Sequence, residues 1–179
     1  MNNINTKLVE DSVNGDVGAF GELYEVIYKD LYRFCYYYIP NKDEAADIVQ
    51  EVAIDAFKGI EKLKDKTSFK SWILKIAAIK CKKHIKTIII DKNQIDLEEI
   101  KDLTDNNISL SDELIDAVYL KKYIQNLSPV EKEILILAVI EEYTREEISK
   151  ILKIPIGTVK SKLNRTLKKL KTSMEKELN

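Results

Sequence analysis

From Ile148 to Met174 the chain carries eight basic side chains and no acidic one. Within that run Val159 and Leu163 recur at helical spacing, so a helix that buries them turns Lys160, Ser161, Asn164 and Arg165 outward. Long donors beside short hydroxyl and amide groups are the side chains that read base edges in a DNA major groove. Lys162, Lys168, Lys169 and Lys171 suit phosphates, whose contacts position a protein on the duplex without reading sequence. Amides at two helix starts, near Thr144 and Thr158, offer further phosphate sites. A solvated basic helix would share the charge alone.

A second basic block spans residues 57–92, with eleven lysines against three acids. Lys62, Lys64, Lys66 and Lys70 fall in or beside a loop, and Lys75, Lys80, Lys82, Lys83 and Lys86 follow along a helix. Such a row can track a nucleic-acid strand electrostatically. The flanks are acidic: residues 1–56 hold four basic and eleven acidic side chains, and residues 91–116 hold two and nine. Asp47, Gln50, Glu51 and Asp55 form an outward stripe that suits a basic partner and equally suits solvent. Catalysis has no support. The only histidine, His84, sits among lysines as a phosphate contact or exposed residue, without the paired carboxylates or ligand cluster of metal-assisted cleavage. Cys35 and Cys81 lie in apolar helical contexts, lack metal or redox spacing and are expected in the core of a reduced, intracellular protein. No metal or cofactor is expected.

The elements that must position these residues are helices. Apolar content is 45%, charged content 33%, and only five Gly and three Pro punctuate 179 residues. Four segments fit the first 90 residues: Asn5 to Val13, Ala19 to Ile39, Asn41 to Gly59 and Phe69 to Ile88. Asn41 and Glu44 form a capping box, and the fourth helix is expected to bury Trp72, Ile73, Ile76, Ala77 and Ile85. Residues 91–111 read as an extended acidic linker, or as a short helix over 97–103. From Asp112 a helix runs to Leu127, Ser128-Pro129-Val130-Glu131 opens another, and Thr144-Arg145-Glu146-Glu147 opens a short third. Lys153-Ile154-Pro155 breaks the chain before a last helix with an apolar stripe of Val159, Leu163, Leu167 and Leu170. A short helix and a longer one across a tight break is the layout of a helix-turn-helix, whose second helix enters the major groove. The fold class expected is all-α: helical domains over residues 1–90 and 112–179 joined by the linker.

The chain resembles the extracytoplasmic-function (ECF) sigma factors of bacterial RNA polymerase. The resemblance rests on Ala19-Phe20-Gly21-Glu22-Leu23-Tyr24, on Asp43 through Val52, and on Phe69-Lys70-Ser71-Trp72-Ile73-Leu74-Lys75-Ile76-Ala77. It continues in Leu127-Ser128-Pro129-Val130-Glu131-Lys132, Tyr143 through Ile148 and Ile156 through Leu163. It implies that residues 1–90 are sigma region 2, docking on the polymerase clamp through Asp47, Gln50, Glu51 and Asp55 and opening the −10 element with the lysines of the second block. The loop before the fourth helix would capture a flipped non-template base. Stacking by Phe69 or Trp72 is an option, although Trp72 reads better as core. Residues 112–179 would be sigma region 4, contacting the polymerase flap and reading the −35 duplex. Family members carry Asn and Asp where this chain has Ile79 and Lys83, so no −10 base preference is assigned.

The resemblance further implies core RNA polymerase and promoter DNA as partners, a monomer within the holoenzyme, and an anti-sigma factor, often membrane-bound in the family. Localisation would be cytoplasmic, with sequestration at a membrane through that factor. Three other readings stand beside this one. A stand-alone helix-turn-helix regulator would bind an operator without polymerase; a nuclease or recombinase would need a catalytic cluster; an adaptor would leave the two basic blocks unexplained.

Overall fold

The computed structural model describes residues 4–92 and 112–177. Among them every regular element is helical. Helix α1 (Thr6–Val13) starts at Asn5, whose side chain accepts from the Lys7 amide. Asp16 accepts from the Ala19 amide and opens α2 (Val17–Tyr38) two residues before the apolar pattern begins. Asn41 accepts from the Asp43 and Glu44 amides and starts α3 (Lys42–Gly59). The expected capping box is only half formed there, because Glu44 Oε2 meets His84 Nε2 at 2.9 Å instead. Two 3₁₀ turns, Ile60–Lys62 and Lys66–Ser68, lead into α4 (Phe69–Lys92).

The stripe α4 buries differs from the expected one. Ile73, Leu74, Ala77, Ala78 and Cys81 face the core, while Trp72, Ile76 and Ile85 are half-buried at its edge. Contact with both α2 and α3 demands a face one residue wider on the Leu74–Ala78 side, which a single-helix wheel does not resolve. Cys35 and Cys81 are fully buried with sulfurs 3.8 Å apart, free thiols as expected. The linker reading, including the short-helix alternative, lies outside the described residues apart from residues 91 and 92, which continue α4.

The second half holds α5 (Asp112–Gln125), α6 (Pro129–Leu135), a π turn (Ile136–Ile140), α7 (Arg145–Leu152) and α8 (Ile156–Glu177). Both expected capping boxes form. Ser128 N–H and Oγ reach the Glu131 carboxylate, and Thr144 N–H donates to Glu147 Oε2 at 2.8 Å while the Glu147 amide returns to Thr144 Oγ1. The π turn was not legible in sequence. Its wider hydrogen bond, Glu141 N–H to Ile136 O, inserts an extra residue and turns Glu141 toward α2.

The two helical halves pack on one another, with Ile124, Ile134, Leu135, Ile136 and Leu137 buried with the side chains of α2 and α4. Helices α5 and the π turn lie on α2, and α7 lies on α4. Gln125 Nε2 donates to Tyr37 O, and the Lys121 ammonium sits 3.6 Å from the centre of the Tyr36 ring. Four tyrosines at helical spacing line the outside of α2, Tyr24 meeting Tyr28 edge-to-face and Tyr28, Tyr32 and Tyr36 stacking in turn, and the row ends under this contact.

Candidate nucleic-acid and partner interfaces

The helix-turn-helix is built from α7, the three-residue break Lys153-Ile154-Pro155 and α8. Lys153 takes the left-handed conformation (φ 54°), a position usually given to Gly or Asn. Ser149 holds the break: its backbone oxygen accepts from the Lys153 and Ile154 amides and its hydroxyl donates to Ile154 O at 2.6 Å. Val159 and Leu163 then bury as expected, with Ile148 and Ile151 of α7 opposite. One turn later the stripe departs from expectation. Thr166 is buried and Leu167 is exposed, because Tyr123 of α5 donates its hydroxyl to Thr166 O at 2.9 Å and rotates that face inward. Tyr119 adds a second pin, donating to Ser173 Oγ.

The outward set on α8 is as expected: Lys160, Ser161, Asn164, Arg165 and Lys168 are exposed, with Lys162 half-buried beside them. Lys162 and Lys169 help hold the Glu131 carboxyl below its usual range, after the larger effect of the Ser128 hydroxyl. The two amides expected to be free for phosphate are already occupied. Thr144 N–H and hydroxyl are both engaged by Glu147 in the capping box, and Thr158 N–H is held by Pro155 O at 2.9 Å, so of these two residues the Thr158 hydroxyl is the one left as a potential contact.

The lysines of the second block separate into three groups. Lys62, Lys64, Lys83 and Lys86 are exposed. Lys80 turns to α3, within 3.1 Å of Glu51 and 2.9 Å of Asp55, which leaves it on the acidic stripe rather than in the lysine row. The others face the second half of the chain or α1. Lys66 pairs with Glu10, Lys70 Nζ lies 2.6 Å from Asp30 Oδ2, Lys82 lies 3.2 Å from Glu133 Oε1, and Lys75 is pushed down by burial and by the neighbouring Lys153. An open cleft of about 590 Å³ separates the halves here, with Lys66, Thr67, Lys70 and Ser71 on one wall and Glu141, Tyr143, Glu147 and Lys150 on the other. Phe69 is 1% exposed and cannot stack on a base, and Trp72 packs beside Phe69 and Gly59. His84 is neither free nor a phosphate contact, since Glu44 holds it.

On α3, Asp47, Gln50, Glu51 and Asp55 are all exposed, with Ile48, Val49, Val52 and Ala56 beneath. Ile54 and Phe57 stand exposed on the same helix at 52% and 45%. Sequence reasoning did not single them out. Exposed apolar side chains beside a charged stripe are a feature of partner surfaces.

Sequence reasoning also missed a charged cluster between the halves. Glu141 has no exposed side-chain surface; its Oε1 accepts from Arg33 Nε at 3.0 Å, and its Oε2 lies 3.8 Å from Lys70 Nζ, an ion-pair distance too long for a hydrogen bond. Arg33 also reaches Asp30 at 3.3 Å. Burial pushes the Glu141 and Glu133 carboxyls up, with Arg33 and Lys82 respectively opposing the shift. Lys132, buried over the Tyr38 ring, is pushed down by the same cause. These residues are far apart in sequence, so no spacing could have signalled the cluster.

The sigma-70 region 2 model matches residues 23–87 and the sigma-70 region 4 model matches residues 117–170. A relative from Bacillus subtilis, the RNA polymerase sigma factor SigV, is 31% identical over 154 residues, covering 83% of this chain and 87% of that protein. The chain belongs to the ECF sigma factors of the sigma-70 family. The B. subtilis ECF sigma factor SigW is 28% identical and the Escherichia coli ECF sigma-E factor 26%, over 89% and 88% of this chain and 90% and 87% of theirs. Two solved structures share the fold. One is CnrH in complex with the cytosolic domain of CnrY (TM-score 0.72, 16% identity, 95% of this chain and 96% of that one). The other is the sigma factor RpoE in complex with the anti-sigma factor NepR from Bartonella quintana (TM-score 0.70, 21% identity, 89% and 98%). This sigma factor is therefore a polymerase-binding transcription initiation factor, neither an enzyme nor a stand-alone regulator. Among the described residues no helix is long and apolar enough to cross a membrane.

Proposed function

We propose that the sigma factor divides promoter reading between its halves, with residues 1–90 as the −10 module and residues 112–179 as the −35 module. In the second, Lys160, Ser161, Asn164 and Arg165 read base edges, while Lys162, Lys168 and the Thr158 hydroxyl hold phosphates and Thr144 caps the helix before them. The observation that carries this reading is α8 itself, a helix pinned through Thr166 and Ser173 whose exposed Lys160, Ser161, Asn164 and Arg165 offer donors and short polar groups on one face. In the first, Lys62, Lys64, Lys66, Lys70, Lys75, Lys82, Lys83 and Lys86 follow the opened strand, with Lys80 tying α4 to α3. Asp47, Gln50, Glu51 and Asp55, with Ile54 and Phe57 beside them, dock on the polymerase clamp, and the −35 module meets the flap.

Reaching both elements requires the halves to part. Promoter elements about 25 base pairs apart lie roughly 85 Å from one another, and the shared core is incompatible with such a span. Polymerase binding supplies the opening, and one copy acts in each holoenzyme. An anti-sigma factor, membrane-bound or free, is the partner expected to hold the closed form; the structural neighbour RpoE supports this, since it was solved with the anti-sigma factor NepR. Run-off transcription with core polymerase on a promoter library tests the assignment. Initiation at sites sharing a −35 and a −10 sequence is expected; loss of −35 selectivity in an Asn164→Ala, Arg165→Ala protein is the second expected result. No specific initiation, or selectivity unchanged by those substitutions, overturns it.

A further inference from the structure

Three cations of the first half lie within ion-pair distance of carboxylates of the second, and one of them, Lys70, is at the same time held at 2.6 Å by Asp30 of its own half. Arg33 Nε donates to Glu141 Oε1 at 3.0 Å, Lys70 Nζ stands 3.8 Å from Glu141 Oε2, and Lys82 Nζ stands 3.2 Å from Glu133 Oε1. Lys70 and Lys82 are twelve residues apart on α4, about 18 Å along the axis. Neither carboxylate lies there by accident of solvent exposure: Glu141 and Glu133 are 4% and 5% exposed, and the π turn exists at the point that carries Glu141 into the pocket. A carboxylate offers a guanidinium or ammonium the same paired oxygens as a phosphodiester.

We infer that Glu133 and Glu141 occupy, in cis, the anion sites through which the first half holds phosphates of single-stranded promoter DNA, and that Arg33 is a phosphate-binding residue of that surface. The inference rests on the −10 reading above and adds a residue and a control to it. Arg33 lies on α2, outside the lysine block, yet its guanidinium converges with Lys70 on one oxygen pair. While Glu141 fills that pair, a phosphate cannot. The contact is also easily surrendered. Buried ion pairs roughly break even against their desolvation cost, and the Glu141 carboxyl is pushed up rather than down despite its partners. A phosphate arriving from solvent meets Arg33 with its side chain 46% exposed and need not be buried to the same depth.

The test uses the full chain and a fluorescent AT-rich single-stranded oligonucleotide, with its duplex as a second arm, followed by anisotropy and by small-angle scattering. The charge-reversed protein Glu133→Lys, Glu141→Lys repels its old partners and opens, read as a larger radius of gyration with helicity retained. Its affinity for the single strand is expected to exceed that of wild type by about tenfold or more, and to exceed the gain in Glu22→Lys, Glu25→Lys, which adds the same charge on α2 away from the interface. Adding Arg33→Gln to the opened protein removes most of that gain. Adding Lys29→Gln, an equal charge loss on the same helix, does not. An unchanged radius, a gain no larger than that of the charge control, equal losses from Arg33→Gln and Lys29→Gln, or preference for the duplex overturns the inference. Run-off initiation by wild type is scored separately: its absence overturns the −10 reading, and its presence with Arg33→Gln and Lys29→Gln indistinguishable overturns this inference alone.

Discussion

Leu163 and its neighbours Asn164 and Arg165 separate folding from reading within a single turn of α8. Leu163 is 6% exposed and packs against α7 with Val159, whereas Asn164 and Arg165 are exposed. Leu163→Ala removes buried methyl groups and leaves a cavity, a loss of about 2–5 kcal/mol. For a chain of this length each kcal/mol lowers Tm by about 2–4 °C, so a middle value of ~3 kcal/mol predicts a fall of ~6–12 °C. Asn164→Ala and Arg165→Ala touch no buried group and change stability by less than about 0.5 kcal/mol, or ~2 °C. Their effect falls on DNA instead. A side chain that reads a base edge contributes about 1–3 kcal/mol of discrimination, a loss of about 5- to 150-fold between matched and mutated −35 duplex. Calorimetry on the free protein and initiation assays on the holoenzyme read the two quantities independently. A Tm drop in Asn164→Ala equal to that in Leu163→Ala, or an unaltered −35 preference in both exposed variants, would refute the assignment of faces.

Acidification should tighten the closed form rather than loosen it. Burial raises the Glu133 and Glu141 carboxyls in the closed state, so that state binds protons more strongly than the open one. Their contribution is complete below the open-state value near ~4.3 and is lost as pH rises through the raised closed-state values. Scattering between neutral and mildly acidic pH should show no expansion, and Glu133→Gln, Glu141→Gln should stay closed and lose the pH response; expansion on acidification would contradict the sign. Thr144→Ala breaks the reciprocal cap of α7 and should cost about 1 kcal/mol, seen as a Tm lowered by about 2–4 °C. Glu51→Lys with Asp55→Lys should weaken core polymerase binding in a pull-down by about tenfold or more while leaving the α8 surface intact, since burial of like charges against a complementary partner costs several kcal/mol; unchanged binding would remove α3 from the clamp interface.

Much of the architecture was written in local chemistry. Asn5, Asn41, Ser128 and Thr144 each start the helix their spacing predicts, because a cap needs only the three residues that follow it. The reading face of α8 was legible for the same reason, since Val159 and Leu163 fix which side is buried. Legibility failed where a partner from far along the chain decides. Tyr123 turned Thr166 inward at the expense of Leu167, and the joint demand of α2 and α3 moved the buried face of α4. Asn41 found its amides while Glu44 was drawn off to His84 across 40 residues.

The sequence by itself therefore determined the helices, their caps, the two basic blocks and the family, all of them consequences of short-range periodicity and composition. Only the tertiary structure decided which lysines are free. Lys70 is met by Asp30 and, farther off, by Glu141, Lys82 by Glu133, and Lys80 by Glu51 and Asp55, through contacts that depend on how the helices pack. Charge along a chain is a local property, but electrostatic availability depends on the opposite charges and the burial that folding brings to each site.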